Sequence, residues 1–326
     1  MRVVVSCGDV NGIGLRCFED VCATHTINAT LTLAIDTSTL QEAITAYSLR
    51  GTLSNNTWHC GPNAITILAV HAPCRVHPGT VQSDSARCAI ASLNVATNAV
   101  LNKQVDALVT LPINKHAMST QGWPYMGQTE MLAQHAGGAS LMVLCSESTR
   151  VALATVHSAL RDVDALLTTT LLCNRIEQLH HHLTFDLGLQ HPRIAVLAVD
   201  PHAGEHGVIG TTDQAVVAPA VALCAANGML VAGPFPADGF FGFGAYKKFD
   251  GILAMYHDQG LIPLKLMAQG AGVNCTAGLS IVRTSPDHGT AYDKAANGNV
   301  DSRSTFEAIQ LAMSIATTRA GATKGR

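Results

Sequence analysis

Three histidines each follow an apolar run that predicts a β-strand. His157 comes directly after RVALATV, His257 comes directly after GILAMY, and His202 lies just beyond RIAVLAV. In parallel sheets, ligands bind at the carboxyl ends of the strands, so the three side chains could converge there. Three neutral imidazoles suit Zn²⁺ or a similar divalent ion and leave coordination positions open for a substrate. The pattern therefore predicts a metal site, although a single histidine of this kind is more often a hydrogen-bonded boundary residue.

Other polar residues near these histidines support the metal hypothesis to different degrees. Asp162, Asp200 and Asp258 could accept hydrogen bonds from the rings and orient them. The run His180–His182 looks more like a metal motif, but consecutive side chains on a helix point about 100° apart and do not meet at one ion. We therefore interpret this run as a solvated helix face.

The segment GVNCTAGLSIVRTSPDHGTAYD (272–293) is rich in polar and charged residues around a short predicted strand. It contains Asn274, Arg283, Asp287 and His288. Arg283 together with Lys265 would form a phosphate clamp, a planar fork combined with a point charge. A structural salt bridge is the alternative for each residue.

Three further loops carry candidate residues. GDVNGIG (8–14) follows the first strand, but its glycine spacing is not that of the dinucleotide fingerprint, and it indicates only a tight turn. LPINKHAM (111–118) carries Lys115. In MGQTEMLAQ (126–134), Gln128 and Thr129 lie at a predicted helix start, where backbone N–H groups can receive an anion. An ordinary helix cap is the alternative.

These residues must be positioned by alternating strands and helices. Near-continuous apolar strands separated by helices predict an α/β fold with largely parallel strands. Ser83 and Asp84 are the predicted N-cap of the first long helix. The strand-like runs are 2–7, 29–35, 64–70, 105–111, 140–145, 150–156, 193–199 and 251–256, and helix candidates are 83–103, 163–183, 212–226 and 302–318.

Composition excludes several classes of protein. The 326 residues are 48% hydrophobic and 13% charged with a formal net charge of −3, so nucleic acid and acidic membranes are poor partner predictions. Residues 214–237 lack charge, but prolines and an Asn-Gly pair interrupt them, so we predict a buried helix, a turn and a strand. The first residues have too short an apolar run for a signal peptide, and none is predicted there. Ten cysteines without a CxxC motif predict reduced thiols in the cytoplasm and give no support to a zinc–thiolate site.

The assembled motifs resemble the 4-hydroxythreonine-4-phosphate dehydrogenase family of vitamin B6 biosynthesis. The resemblance covers nearly the whole chain, and MYHDQG followed by RTSPDHGTA is its most specific part. It implies a fold similar to isocitrate and isopropylmalate dehydrogenases, not a Rossmann fold, with a cleft between two α/β domains. Residues 1–125 plus 275–326 would form the cofactor-side domain, and residues 126–274 the metal, substrate and dimerisation domain. A homodimer with active sites at the subunit interface is also implied.

The resemblance assigns roles to individual residues. It implies one divalent metal per site, most often zinc with magnesium, manganese or cobalt as alternatives, and NAD or NADP as cofactor. Lys115 and Asp258 are the candidate acid or base groups. The implied metal ligands are His157, His202 and His257; the substrate contacts are Gln128, Thr129, Lys265, Asn274 and Arg283; and the cofactor loop contains Asp287, His288, Gly289 and Thr290.

The chain departs from the family pattern at three places. Gln128 stands where the family usually has histidine, Asp200 stands where it has asparagine, and Leu15-Arg16 replaces a glutamate-containing pair. A glutamine can donate and accept hydrogen bonds but does not carry a proton near neutral pH. The metal and phosphate residues remain, so we expect the oxidative chemistry to be retained more readily than the family's substrate preference.

The expected reaction is metal-dependent oxidation of 4-phosphooxy-L-threonine by NAD(P), with decarboxylation to 3-amino-2-oxopropyl phosphate. The alternatives are a dehydrogenase of another phosphorylated hydroxy acid, of the 4-phosphoerythronate or threonate type, or of a dihydrodiol. A non-redox acyltransferase or hydrolase and a non-catalytic binding protein are further alternatives.

Overall fold

The computed structural model describes residues 1–296 and 298–324, which form two compact units. The first unit contains Met1–Ala139 and Leu279–Thr317, and the second contains Ser140–Gly278 together with the described residues from 318 on. The chain therefore passes from the first unit to the second, returns to the first, and enters the second again at residue 318. Each unit contains its own set of neighbouring strands and its own apolar core.

Strands and helices alternate along most of the chain. The described strands are β1 (Arg2–Ser6), β2 (Thr30–Ile35), β3 (Thr52–Ser54), β4 (Thr57–Cys60), β5 (Asn63–Ala69), β6 (Ala107–Thr110), β7 (Leu141–Cys145), β8 (Arg150–Leu153), β9 (Arg193–Leu197), β10 (Leu230–Phe235), β11 (Gly251–Ala254), β12 (Val273–Ala277) and β13 (Arg283–Pro286). The described α-helices are α1 (Gly14–Thr24), α2 (Thr37–Tyr47), α3 (Ser83–Leu101), α4 (Lys115–Thr120), α5 (Gln128–Ala136), α6 (Leu160–Leu166), α7 (Thr169–His181), α8 (Ala218–Ala226), α9 (Ala237–Gly242), α10 (His257–Ala268), α11 (Tyr292–Ala295) and α12 (Arg303–Lys324).

The first unit is built on a sheet with the strand order β13-β6-β1-β2-β5-β4-β3. The five strands from β13 to β5 are parallel, and β4 and β3 continue the sheet antiparallel. Strand β6 and all but the first residue of β1 are buried, as expected for strands covered on both faces. The hairpin β3–β4 was not predicted. Asn55 and Asn56 join its strands at φ angles of 45° and 60°, which two-residue hairpin turns require.

The second unit has a sheet with the strand order β10-β9-β11-β8-β7-β12. The strands β10, β9, β11 and β8 are parallel, whereas β7 is antiparallel to both β8 and β12. The expectation of a helix between successive strands is wrong for β7 and β8, because residues 146–149 join them as a hairpin. Leu144, Leu153, Leu197 and Ile252 lie in the core of this unit. The carboxyl ends of β9, β11 and β8 therefore lie side by side.

Two helix predictions need correction. Helix α3 is preceded by Gln82 as N-cap without a side-chain hydrogen bond, so the prediction of Ser83 and Asp84 as the cap is wrong. Asp84 Oδ1 instead accepts a hydrogen bond from the backbone N–H of Ser85. The predicted helix 163–183 is two helices, α6 and α7, and Thr168 caps α7 by accepting from Leu171 N at 3.1 Å. The predicted helix is therefore interrupted between Leu166 and Thr169, where Thr168 begins a second helix.

The uncharged stretch 214–237 has the predicted order of elements, but the prediction of a buried helix is wrong, because only Ala220, Val221 and Cys224 of that helix are buried. The stretch contains α8, a turn at Asn227 and Gly228, and the strand β10. Among the described helices, none combines the length and apolar character needed to cross a bilayer. All ten cysteines are free thiols, as predicted.

The prediction of a solvated face for His180–His182 is wrong for His182. Helix α7 continues into a π-helical turn, His182–Asp186, and His182 is fully buried there. Its Nδ1 lies 2.7 Å from Asp186 Oδ2, and Asp186 Oδ1 accepts a hydrogen bond from Arg319 Nε at 2.7 Å. His181, in contrast, is exposed and stacks on Phe185. The buried ion network joins the last described turns of α12 to α7.

Candidate active site

His157 and His257 face each other at the carboxyl edge of the second unit's sheet. Strands β8 and β11 are parallel neighbours, and their pairing continues past the strand ends, where Ala154 N donates to Ala254 O at 2.8 Å. The two imidazole rings lie 6.3 Å apart between centroids. They line a pocket of about 330 Å³ together with Val156, Ser158, Leu160, Val163, Tyr256 and Asp258. The strand-end position predicted from the sequence is therefore observed for this pair.

His257 is oriented by the residue that follows it. It is the first residue of α10, and its Nδ1 lies 2.7 Å from Asp258 Oδ1. The His257 side chain is 38% exposed, so the ring remains accessible to a ligand. A carboxylate that holds one ring nitrogen fixes the ring orientation and increases its basicity towards a metal. Asp258 is therefore the orienting partner that the sequence suggested, whereas Asp162 pairs with Arg161.

Gln259 and Asp213 fix the loops around this pocket, and neither residue was predicted from the sequence. Gln259 Oε1 accepts from Met255 N at 2.7 Å, and its Nε2 donates to Ala198 O at 2.6 Å, which ties the end of β11 to the end of β9. Asp213 is buried and accepts from the backbone N–H groups of residues 199 and 200, both at 2.9 Å. Burial raises the pKa of Asp213. The only sequence signal was the place of Gln259 in MYHDQG.

His202 is not brought to the other two histidines. It is exposed and begins a turn, His202–His206, in which all five residues have φ angles between 46° and 75°. Within this turn, a Cβ on Gly204 would lie 2.4 Å from Gly210 O, so only glycine fits. Left-handed conformation costs about 1–2 kcal/mol per non-glycine residue and persists where the surroundings impose it, often at functional sites. Among the described residues, no three His, Cys, Asp or Glu side chains are grouped so as to hold a metal ion.

Arg283 and Gln128 form one buried network in the first unit. Arg283, the first residue of β13, donates from Nε and Nη2 to Thr110 Oγ1 at 3.1 and 2.7 Å. Its Nη2 also donates to Gln128 Oε1 at 3.1 Å, and Gln128 Nε2 donates to Leu111 O at 3.0 Å. Arg283 is 4% exposed and Gln128 is 8% exposed. Thr110 was missed because a threonine at the end of a buried strand carries no distinguishing signal.

Lys115 lies near the start of α5 in the same unit. Gln128 and Thr129 are the first two residues of α5, as predicted, and Gly127 is its N-cap with extended backbone. A Cβ on Gly127 would lie 3.4 Å from Lys115 Nζ, so the lysine extends over this helix start. Lys115 is exposed and begins α4, which Asn114 caps by accepting from Ala117 N. The helix start and the ammonium group suit an anion, whereas Glu130 Oε2, which would lie 3.0 Å from the same Cβ, opposes one.

The loop 287–290 packs against the glycine loop after β1. Thr290 O accepts from Ile13 N at 2.9 Å, and a Cβ on Gly12 would lie 2.7 Å from Thr290 O. The His288 Nδ1 lies 3.0 Å from Gly289 O, while its Nε2 is buried and has no hydrogen-bond partner among the described residues. Burial lowers the pKa of His288. The glycines of GDVNGIG therefore permit a close approach between two backbone segments.

The two remaining predicted residues belong to the second unit. Lys265 is exposed and lies on α10, the helix that begins with His257. Asn274 lies on β12, and its Oδ1 is buried and has no hydrogen-bond partner among the described residues. A buried acceptor without a donor is uncommon, and a bound ligand is one explanation for it.

Comparison with known proteins identifies the family. Residues 22–312 match the model of the family described as pyridoxal phosphate biosynthetic protein PdxA. The 4-hydroxythreonine-4-phosphate dehydrogenase of Bacteroides thetaiotaomicron is 35% identical over 325 residues, covering 97% of this chain and 88% of the relative. The crystal structure of the enzyme of that name from Klebsiella pneumoniae matches with a TM-score of 0.84 and 35% identity over 97% of this chain and 98% of its own. A terephthalate 1,2-cis-dihydrodiol dehydrogenase from Burkholderia xenovorans matches with a TM-score of 0.64 and 26% identity over 96% and 98% of the two chains.

These matches confirm the predicted α/β fold and place the chain among the dehydrogenases that act on a CH–OH group. The chain belongs to the PdxA family of pyridoxal phosphate biosynthesis. The resemblance seen in the sequence motifs is thereby confirmed.

Proposed function

We propose that the chain catalyses the metal-dependent oxidation of 4-phosphooxy-L-threonine by NAD or NADP, with decarboxylation to 3-amino-2-oxopropyl phosphate. The observation that carries this proposal is the pocket lined by His157 and His257, at two positions where the family resemblance implies metal ligands. The names of the relatives support the choice of substrate.

His157, His202 and His257 are the proposed ligands of one divalent cation, zinc or alternatively magnesium, manganese or cobalt. The fit is partial in the described residues. His157 and His257 face one pocket, and the contact of His257 with Asp258 suits a metal-binding imidazole. His202 follows Asp200, which lines an adjoining pocket with Gly210 and Tyr256, and its turn would have to rearrange to complete the set.

The proposed chemistry divides between the bound groups and the protein. A cation would polarise the substrate hydroxyl and carboxylate, and a nicotinamide would accept the hydride. Lys115 and Asp258 are the proposed acid or base groups that take the hydroxyl proton. The contact of Asp258 with His257 also supports an orienting role for this carboxylate. The resulting 3-keto acid loses CO₂ to give the amino ketone phosphate.

We propose that Gln128, Thr129, Lys265, Asn274 and Arg283 bind the substrate, and that Lys265, Asn274 and Arg283 hold its phosphate. The support in the first unit is the buried guanidinium of Arg283 and the start of α5. The support in the second unit is the exposed Lys265, and the buried Asn274 Oδ1 is an acceptor that suits a donor group of the substrate. These groups would supply orientation more than chemistry.

NAD or NADP is proposed to bind the loop containing Asp287, His288, Gly289 and Thr290. The support is the close packing of this loop on the glycine loop 8–14, which leaves a rigid backbone surface. The buried His288 Nε2 adds a polar atom that a ligand can satisfy.

A homodimer with active sites at the subunit interface is also proposed. The second unit exposes large apolar side chains in the single chain, among them Leu160 at 70%, Val208 at 82%, Phe243 at 93% and Leu266 at 73%. Exposed apolar surface of this kind is typical of association faces. Free thiols at all ten cysteines support a cytoplasmic location.

Gln128 favours a second candidate, a dehydrogenase of another phosphorylated hydroxy acid of the 4-phosphoerythronate or threonate type. The resemblance to a dihydrodiol dehydrogenase makes an unphosphorylated diol a further substrate to test. The anchored Arg283 favours the phosphorylated compounds over the diol.

The test is a substrate panel with the purified full-length chain and each divalent metal in turn. NAD and NADP reduction would be followed with 4-phosphooxy-L-threonine, 4-phosphoerythronate, a cis-dihydrodiol and unphosphorylated 4-hydroxythreonine. We expect the threonine phosphate to have the highest kcat/KM and to yield the amino ketone phosphate by mass spectrometry. Faster turnover of another substrate would contradict the assignment, and an absence of reduction with every metal would contradict the reaction class.

A further inference from the structure

We propose that Thr110 and Gln128 are positioning residues that set the direction of the Arg283 guanidinium towards the substrate phosphate. This inference rests on the proposed function, in which Arg283 contacts a phosphate. It changes the expected role of Gln128, which would orient Arg283 and not contact the substrate directly. It also gives a role to Thr110, to which neither the motifs nor the family resemblance assigns one.

The guanidinium plane is fixed by the hydroxyl of Thr110. A single oxygen, Thr110 Oγ1, accepts from both Nε and Nη2 of Arg283, at 3.1 and 2.7 Å. Two bonds from adjacent nitrogens to one acceptor hold the edge of the planar fork and restrict rotation about the last side-chain torsion. Thr110 is 1% exposed and is the last residue of β6, so its own position is rigid.

Gln128 supplies a second, independent restraint. Its Oε1 accepts from Arg283 Nη2 at 3.1 Å, and its Nε2 donates to Leu111 O at 3.0 Å. Both ends of the amide are therefore engaged by groups of this unit, and Leu111 directly follows β6. The strand end that carries Thr110 also anchors Gln128, so both restraints on Arg283 originate from one rigid segment.

A glutamine suits this position because its amide does not titrate. It accepts from Arg283 and donates to the Leu111 carbonyl at every pH. A protonated imidazole at position 128 would have only donors and would repel the guanidinium. The glutamine therefore holds Arg283 in one orientation across the physiological pH range.

The experiment compares Thr110→Val, Thr110→Ser and Gln128→Leu. Valine is close to threonine in shape and removes the acceptor, whereas serine keeps it. A hydrogen bond to a charged group is worth enough that we expect KM for the phosphorylated substrate to rise about tenfold to a hundredfold in Thr110→Val and Gln128→Leu. Thr110→Ser should retain a KM near that of the wild type. KM for NAD(P) should change little in all three, and KM for unphosphorylated 4-hydroxythreonine should change little in Thr110→Val and Thr110→Ser.

A combination with Arg283→Met distinguishes positioning from a general structural effect. If Thr110 acts through Arg283, Thr110→Val adds little to the KM of Arg283→Met. A full additional rise in KM in that background would overturn the inference, as would an unchanged KM in both Thr110→Val and Gln128→Leu.

The outcome also separates this inference from the proposed function. If the wild type prefers the phosphorylated substrate and Arg283→Met removes that preference, the proposed phosphate site stands whatever Thr110→Val does. If the wild type does not distinguish phosphorylated from unphosphorylated substrate, the proposed function and this inference both fail.

Discussion

The buried network of His182, Asp186 and Arg319 provides a sharp test of how the second unit is held together. Asp186 is 2% exposed and accepts a hydrogen bond from Arg319 Nε at 2.7 Å, with His182 Nδ1 at 2.7 Å from its other oxygen. The substitution Asp186→Asn keeps the size of the side chain but removes the negative charge. It leaves Arg319, whose side chain is 17% exposed, without its charged acceptor.

The expected cost of Asp186→Asn is large because the partners remain buried. Removing one member of a buried ion pair costs about 3–5 kcal/mol, since the other charge is left uncompensated. Burial by itself would raise the pKa of Asp186, but the hydrogen bonds from His182 and Arg319 bring the pKa below its ordinary value. The hydrogen bonds of the network therefore stabilise the ionised form of Asp186 by more than burial destabilises it.

The sign of the pKa shift defines the pH dependence. A carboxyl with a lowered pKa in the folded state contributes stability above its unfolded pKa of about 3.9, and this contribution is lost as pH falls through the folded pKa. The difference in unfolding free energy between wild type and Asp186→Asn should therefore be constant from about pH 7 to 5. It should shrink below about pH 4.

The assay must report on the second unit. Both tryptophans of the chain, Trp58 and Trp123, lie in the first unit, so their fluorescence would follow the wrong part of the molecule. Hydrogen–deuterium exchange of peptides from α7 and β9, measured as a function of urea, would report on the second unit directly. Asp162→Asn is the matched control, because Asp162 forms an exposed ion pair with Arg161 in the same unit. Equal exchange in Asp186→Asn and in this control would refute the reasoning.

Two further predictions concern the metal site and the glycine loop. His257→Ala should lose the bound metal and nearly all activity, measured by elemental analysis and by NAD(P) reduction. The control His181→Ala, at an exposed residue, should retain both. Full metal content in His257→Ala would show that the ligand set is wrong. Tyr292→Phe removes the 2.6 Å hydrogen bond to the buried Asp9. It should lower the unfolding free energy of the first unit by about 1–3 kcal/mol, measured by tryptophan fluorescence in urea. An unchanged unfolding transition would contradict this prediction.

Much of the fold was readable from the sequence because it depends on local apolar patterns. The buried strands β1, β6 and β11 are short apolar runs, and the uncharged stretch 214–237 carries its own turn signals. The hairpin between β7 and β8 was missed because an apolar run does not show whether the next strand pairs with it parallel or antiparallel. His182 was misjudged because three consecutive helical side chains point about 100° apart, so one of them can face the core while its neighbours face solvent; His182 follows the buried Leu179 at helical spacing.

The candidate site shows the same division between local and long-range information. Residue type and neighbouring sequence were enough to predict three features: the strand-end positions of His157 and His257, the start of α5 at Gln128, and the polar loop 287–290. Contacts between residues that are distant in the sequence could not be predicted in this way. Thr110 meets Arg283 across 173 positions of the chain, and Gln259 meets Ala198 across 61.

The chain of amino acids alone determines which residues can do chemistry here, because the histidines, the arginine and the helix-start residues keep their intrinsic donor and acceptor properties wherever they lie. Folding determines which of them meet. Parallel pairing of β8 with β11 brings His157 to His257, whereas a left-handed turn leaves His202 outside that pair. The orientation of Arg283 is likewise a property of the folded first unit, because its acceptors come from the end of one strand and the start of one helix.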